Sequence, residues 1–185
     1  MKNDPLNCTT ARRIIPKAGY FIFNLMAVYF FEYSIITCFA DRIGKKMVIL
    51  YPERANEVLI REYFAILNWC YQIGVFFSRS SLQYIKIQRV WMLTMFQAIN
   101  FVLLFFDTKY MFCETLYILC PLCIWVGLMG GAAYVNIMHN LLKLDTIKKS
   151  EKEAAMVITL MFNDTGVLSA AIFSLIMDNT LFKTE

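Results

Sequence analysis

Polar residues of types that bind solutes lie inside strongly apolar segments of this chain. Asn68, Gln72 and Arg79 are spaced i, i+4 and i+11, and together with Val75 they form one stripe of a helix. Amide and guanidinium groups are costly in hydrocarbon, so this stripe is expected to face other helices or water. A second interpretation fits Arg79 equally well, because its long side chain is able to reach the cytosolic headgroups as an anchor.

Two acids also lie within apolar segments. Glu32 is about 14 residues, or ~21 Å, past the start of the first segment. An acid at such a depth is by default a candidate for proton coupling, and a structural bond to a neighbouring helix is the alternative. Asp164 belongs to the run Asn163–Gly166, whose weak helix formers predict a local irregularity like those in the broken helices of transporters. A capping or packing motif is the other interpretation of this run.

A glycine-rich face marks the fourth apolar segment. Its residues lie at i, i+3, i+4 and i+7 and are Gly127, Gly130, Gly131 and Tyr134. Gly127 and Gly131 form a G-x-x-x-G pattern, which brings two membrane helices into close contact. Helix packing is therefore the predicted role of the three glycines.

Asn136 and His139 follow this face, near the predicted cytosolic end of the same segment. His139 is the only histidine in the chain. It lies either at the membrane interface as a structural group or at the mouth of a proton pathway. A single histidine excludes paired-histidine metal and protease motifs. No phosphate loop, nucleophile elbow or other catalytic constellation is present, so we predict no metal, no cofactor, no nucleic-acid partner and no enzymatic activity.

Composition and segment length predict that these residues lie on membrane helices. The chain has 185 residues, of which 59% are hydrophobic, and a mean hydropathy of +0.53, against roughly 45–50% apolar residues in soluble domains. The apolar residues form blocks close to the roughly 20 residues that cross a bilayer. Backbone groups in lipid must be satisfied within their own segment, which predicts an all-α integral membrane protein. Five transmembrane helices are predicted, at residues 18–40, 63–82, 90–106, 115–137 and 156–177.

The distribution of basic residues predicts the orientation. Eleven Lys and Arg lie on the N-terminal side of the odd-numbered spans and 7 on the other side, which accounts for all 18. The positive-inside rule then places residues 1–17 in the cytosol and residues 178–185 in the lumen. Residues 41–62 form a luminal loop whose second half, Glu53–Glu62, suits an amphipathic helix. The run Asp41–Lys46 resembles a cytosolic loop motif of major facilitator transporters, and we favour a chance match.

Six cysteines show no spacing typical of a disulfide framework. Cys120 and Cys123 flank Pro121 and Leu122 and are formally a C-x-x-C motif. For this pair we favour two buried thiols beside a helix kink over a redox pair.

At these residues the chain resembles the battenin family of lysosomal membrane proteins. The matching pieces occur in family order and are Val28–Tyr33, Tyr71–Leu82, Gly127–Asn136 with His139 and Asn140, and Asp164 with Thr165. The arginine-containing run and the glycine run are the most specific of them. The resemblance implies a fold similar to the major facilitator and equilibrative nucleoside transporters, built in two halves. The five predicted spans match the C-terminal half.

The resemblance also implies a function. It implies a protein of the lysosomal or vacuolar membrane, involved in pH homeostasis and in the movement of basic amino acids or glycerophosphodiesters. The expected partners are membrane lipids, a small solute, protons, and either an N-terminal half or a second copy of the chain. The alternative is a non-transporting membrane scaffold or regulatory subunit. Residues expected along the solute and proton pathway are Glu32, Asn68, Gln72, Arg79, Asn136, His139 and Asp164.

Overall fold

The structure, a computed structural model, describes residues 8–54, 56–113 and 115–181 and has no β-strand within these ranges. Residues 1–7 of the predicted cytosolic segment and residues 182–185 of the predicted luminal tail lie outside the described residues. The helices are α1 (Cys8–Ser34), α2 (Asp41–Leu50), α3 (Val58–Arg61), α4 (Tyr63–Ser80), α5 (Trp91–Tyr110), α6 (Leu116–Leu142) and α7 (Lys152–Asn179). A π-helical segment, Ile35–Ala40, connects α1 to α2.

The first predicted span belongs to a much longer helix. Thr9–Leu50 is one continuous helical stretch of 42 residues, which is ~63 Å long at 1.5 Å per residue. The hydrocarbon layer is only about 30 Å thick, so part of this helix lies outside it. The helix does not end at Ala40 as predicted. The run Asp41–Lys46 is therefore helical rather than a loop, and within it Lys45 forms an i, i+4 ion pair with Asp41.

Four helices within the described residues are long and apolar enough to cross a membrane: Thr9–Leu50, Trp91–Tyr110, Leu116–Leu142 and Lys149–Asn179. Each overlaps a predicted span and continues beyond at least one of its predicted ends. The remaining predicted span, residues 63–82, lies on α4, which has 18 residues and carries the polar stripe described above.

Two local predictions are wrong. The predicted amphipathic helix Glu53–Glu62 is reduced to the single turn of α3. The predicted irregularity at Asn163–Gly166 is absent, because α7 continues unbroken through these residues. In a membrane a helix satisfies its own backbone groups, and this requirement outweighs weak helix propensity.

α4 and α6 pack along each other as a parallel pair. A Cβ built on Gly74 of α4 would overlap the carbonyl oxygen of Ile124 of α6. Further along both helices, a Cβ built on Gly131 of α6 would overlap Ser78 of α4. The backbones are therefore in direct contact, as expected for a small-residue interface between membrane helices.

α1 and α7 form a second parallel pair. Arg13 and Glu151 form an ion pair near the N-terminal ends of the two helices. Further along, Gly166 lies against the backbone of Met26, where a Cβ would overlap the carbonyl group. Positions further along α1 therefore contact positions further along α7, so the two helices run in the same direction.

α5 joins the two pairs, because it packs against α1, α6 and the π-helical segment. Phenylalanine rings fill this junction. The ring centroids of Phe39 and Phe101 are 5.2 Å apart, and those of Phe101 and Phe173 are 5.7 Å apart. Aromatic contacts at these distances stabilise the packing beyond the area they bury.

Replacing Gly127 by alanine is expected to destabilise the α4–α6 pair. The added Cβ would overlap the backbone carbonyl oxygen of Tyr71, and overpacking of this kind costs about 1–3 kcal/mol. Gly19→Ala is the matched control, because no atom lies within 4 Å of its Cβ position. Thermal unfolding midpoints in detergent micelles compare the two variants. A midpoint for Gly127→Ala at or above that of Gly19→Ala would contradict the close packing.

Candidate functional site

A buried carboxylate lies where α1, α4 and α6 meet. Glu32 on α1 is 2% exposed. The hydroxyl of Tyr71 on α4 donates a hydrogen bond of 2.7 Å to Glu32 Oε1, whereas Oε2 has no hydrogen-bond partner among the described residues. A Cβ on Gly130 of α6 would overlap both carboxylate oxygens. Gly130 therefore provides the space that the carboxylate occupies, which is a different role from close contact between two helix backbones.

A cation and a second tyrosine, Tyr29, lie near this carboxylate. Arg79 lies two turns after Tyr71 on α4, and its Nη2 donates a 3.2 Å hydrogen bond to the hydroxyl of Tyr29. Its guanidinium carbon is 4.9 Å from the ring centroid of Tyr134, within cation–π range. Arg79 is within electrostatic range of Glu32. An exposed cation thus lies beside a buried acid, and their charges interact through a medium of low dielectric.

The amides of α4 line a small cavity next to the same acid. Asn68 and Gln72 share this cavity of about 110 Å³ with Tyr33, Ile36, Thr37 and Tyr71. Tyr71 has two contacts here, since its side chain lines the cavity and its hydroxyl binds Glu32. The predicted polar stripe therefore reaches the buried carboxylate through Tyr71.

A second, more open cavity of about 490 Å³ adjoins the first and is shared with α7. Its lining residues are Tyr33, Thr37, Val167, Ala171, Ser174 and Leu175. Asp164 lies one turn before Val167, is exposed, and is within electrostatic range of Tyr33. Side chains from α1, the π-helical segment, α4 and α7 thus form one surface, which we name the polar face and define as Tyr33, Thr37, Asn68, Gln72, Arg79 and Asp164.

Asn136 and His139 line neither of the two cavities at the polar face. Asn136 is 1% exposed, and its Oδ1 accepts a 2.6 Å hydrogen bond from the backbone N–H of Ile87. Asn140 donates a 2.9 Å hydrogen bond to the carbonyl oxygen of Ile87. The two asparagines thus hold the connection between α4 and α5. His139 is half-buried near the end of α6, and its Nε2 has no hydrogen-bond partner within the described ranges.

Sequence reasoning did not assign roles to Tyr29, Tyr33 and Tyr71. A signal was present, because each lies in a run that resembles the battenin family and a phenol hydroxyl inside a membrane helix needs a partner. The π-helical segment Ile35–Ala40 carries Thr37 and had no signal in the sequence. π-helical turns are frequent at functional sites.

Comparison with known proteins assigns the chain to a family. The profile of the CLN3 protein family matches residues 6–184. The chain belongs to the CLN3 protein family. It is 37% identical to battenin of Dictyostelium discoideum over 162 residues, which are 88% of this chain and 37% of that protein. It is 30% identical to battenin of Canis lupus familiaris over 156 residues, which are 84% of this chain and 33% of that protein.

The chain matches only part of the length of these relatives. Protein btn-1 of Neurospora crassa is 28% identical over 159 residues, or 32% of its length. The chain thus spans about a third of each of these relatives, and no solved structure matches it. Family membership confirms the resemblance to battenin. Together with the four apolar helices of the described residues, it identifies a multi-pass membrane protein of the lysosomal or vacuolar type.

Replacing Tyr71 by phenylalanine is expected to lower the free energy of unfolding by about 1–3 kcal/mol, because the buried Glu32 carboxylate loses its hydrogen-bond donor. Tyr20→Phe on α1 is the matched control, since Tyr20 is 49% exposed. Unfolding is followed by titration with sodium dodecyl sulfate in mixed micelles. Equal stability of the two variants would contradict the assigned hydrogen bond.

Proposed function

We propose that this chain forms the C-terminal half of a battenin-like transporter of the lysosomal or vacuolar membrane, and that the polar face lines its path for solute and protons. One observation carries the proposal. The buried Glu32 is linked through Tyr71 to a surface on which Gln72 and Asp164 are exposed. Such groups are costly against lipid, so this surface is expected to meet water or further helices.

The direction of the helices supports five transmembrane spans. If only the four longest apolar helices crossed the membrane in succession, α1 and α7 would point in opposite directions. They run parallel instead, so an odd number of spans must lie between α1 and α7 along the chain. α4 is the remaining long helix, and it lies along the membrane-spanning α6. We therefore assign α4 as the fifth span, and five is the number that the resemblance to the major facilitator and equilibrative nucleoside transporters implies for the C-terminal half.

Five crossings place the N-terminal end of α1 and the C-terminal end of α7 on opposite sides of the membrane. The count of basic residues then favours a cytosolic start and a luminal end. Arg13 of α1 contacts Glu151, and Lys17 of α1 contacts the carbonyl oxygen of Thr146. The first turns of α1 therefore lie beside the connection between α6 and α7, as expected if both are on the cytosolic side.

Glu32 Oε2 is the atom at which we place a transported proton. It is buried and lacks a hydrogen-bond partner among the described residues, whereas Oε1 is occupied by Tyr71. Protonation removes the attraction between Glu32 and Arg79. The guanidinium is then free to exchange its contacts with Tyr29 and Tyr134 for a solute at the polar face, which would couple proton and solute binding.

A closed path requires a second wall opposite the polar face. An N-terminal half, or a second copy of this chain, would supply that wall, as in transporters built from two halves. Asn68 and Gln72 would then hydrogen-bond the solute. The proposed solutes are a basic amino acid or a glycerophosphodiester, and their exchange for protons would contribute to lysosomal pH homeostasis.

Flux measurements test this proposal. Proteoliposomes carry the chain together with a separately supplied N-terminal half, and uptake of labelled arginine or a labelled glycerophosphodiester is followed under a pH gradient. Glu32→Gln is expected to abolish the pH dependence of uptake, because the amide does not take up a proton. Arg79→Ala is expected to lower uptake at least tenfold, the effect of losing about 1.4 kcal/mol of binding.

The matched controls are Glu53→Gln and Arg61→Ala, which change the same residue types at exposed positions outside α4. Both controls are expected to leave uptake unchanged. Wild-type uptake and pH dependence in folded, correctly inserted Glu32→Gln and Arg79→Ala proteins would contradict a transport role for the polar face. That outcome would favour the scaffold function instead.

A further inference from the structure

Three cysteines of α4 and α6 lie together near the N-terminal ends of these helices. Cys70 is on the second turn of α4, and Cys120 and Cys123 are on the first two turns of α6. Cys120 lies within hydrogen-bonding range of Cys70, and Cys123 is close to both. All three thiols border the same apolar cluster, which also contains Tyr63.

The glycine contacts independently place Cys70 opposite Cys120. Gly74 of α4 lies against Ile124 of α6. Cys70 is four residues before Gly74, and Cys120 is four residues before Ile124. Four residues are about one helical turn. Because the two helices run parallel, Cys70 and Cys120 both lie one turn before the contact between Gly74 and Ile124, each on the face that meets the other helix.

The separation of the two backbones at this level suits a disulfide. Packed helix axes are usually 8–10 Å apart, whereas the Cα atoms of a disulfide are about 4.4–6.8 Å apart. Most helix pairs are therefore too far apart for this bond. α4 and α6 are closer than usual, because a Cβ on Gly74 would overlap the facing backbone.

Exposure favours Cys70 and Cys120 over two other thiols, Cys123 and Cys38. Cys113 is half-buried like Cys70 and Cys120, but only Cys70 and Cys120 face each other across α4 and α6. Cys123 is 1% exposed and Cys38 is 2% exposed. A thiol–disulfide exchange needs an attacking thiol that the oxidant reaches. Cys70 and Cys120 meet this condition for an uncharged oxidant that enters the bilayer or the micelle, whereas the C-x-x-C pair of the sequence contains one buried member, Cys123.

We propose that Cys70 and Cys120 are a redox modification site that forms an interhelical disulfide. One thiolate attacks a small uncharged disulfide that enters the bilayer, such as 2-hydroxyethyl disulfide, and forms a mixed disulfide with release of one reduced thiol. The second cysteine then displaces the other reduced thiol. The two cysteines lose two electrons and two protons in total, and the small disulfide takes them up as two thiols.

The bond would hold the active register of α4 on α6. Tyr71, which binds Glu32, follows Cys70 directly, and its carbonyl oxygen meets Gly127. A covalent link one residue away would fix this contact. The proposed orientation puts these helix ends in the lumen, away from the reducing cytosol, but formation of the bond in vitro does not depend on that orientation.

Thiol counting on the purified full chain tests the site. The protein in micelles is incubated with 2-hydroxyethyl disulfide, quenched with acid, denatured and labelled with a maleimide polymer. Wild type, with its six cysteines, is expected to lose two reactive thiols and to recover them after reduction. Cys70→Ser and Cys120→Ser are each expected to lose at most one, because the remaining cysteine goes no further than the mixed disulfide. Cys123→Ser is the matched control on α6 and is expected to lose two, like wild type.

Peptide mapping of the oxidised wild type identifies the bond without any variant. A linked pair of peptides that contain Cys70 and Cys120 is the expected result. Unchanged thiol counts in wild type would overturn the proposal. So would a Cys120–Cys123 bond, or loss of two thiols in Cys70→Ser, because either result would mean that oxidation does not join the two helices.

Discussion

The bare glycine face of α6 is the constraint on which the rest of the bundle depends. Gly127 lets the backbone of α4 reach the backbone of α6, and Gly130, on the adjoining side, leaves room for the carboxylate of Glu32 from α1. Three helices therefore converge at one level, and Tyr71 reaches Glu32 with its hydroxyl. A side chain on either glycine would push one of these helices away and separate the buried acid from its donor.

The polar face depends on how the two parallel helix pairs and α5 are arranged. α4 follows α6, and α1 follows α7, so the polar side chains of α1, α4 and α7 arrive at the same side of the bundle. The buried acid lies behind this surface and the amides and Asp164 lie on it. This surface is the one that we propose as a wall of the path for solute and protons.

The sequence predicted the helices well and their ends poorly, for a physical reason. The length of an apolar block is set by the thickness of the membrane. A helix does not have to end where its apolar block ends, and the first helix continues through Asp41–Leu50. Glu32 was predicted as buried because an isolated acid stands out in an apolar run. Its partner Tyr71 was not, because the register between α1 and α4 is set by the glycines of a third helix. Gly166 remains helical because α1 packs against it. Local helix propensity does not include such a tertiary contact, so the sequence predicted an irregularity there.

Water access to the polar face tests the central claim most directly. Single cysteines replace Gln72 and Asp164, and Ile73 and Ile172 as exposed apolar controls on the same two helices, in a protein whose native cysteines are serine. A membrane-impermeant maleimide is added to vesicles that hold the chain with its N-terminal half. The account predicts labelling at positions 72 and 164 and protection at positions 73 and 172. Protection at 72 and 164, or equal labelling at all four positions, would contradict it.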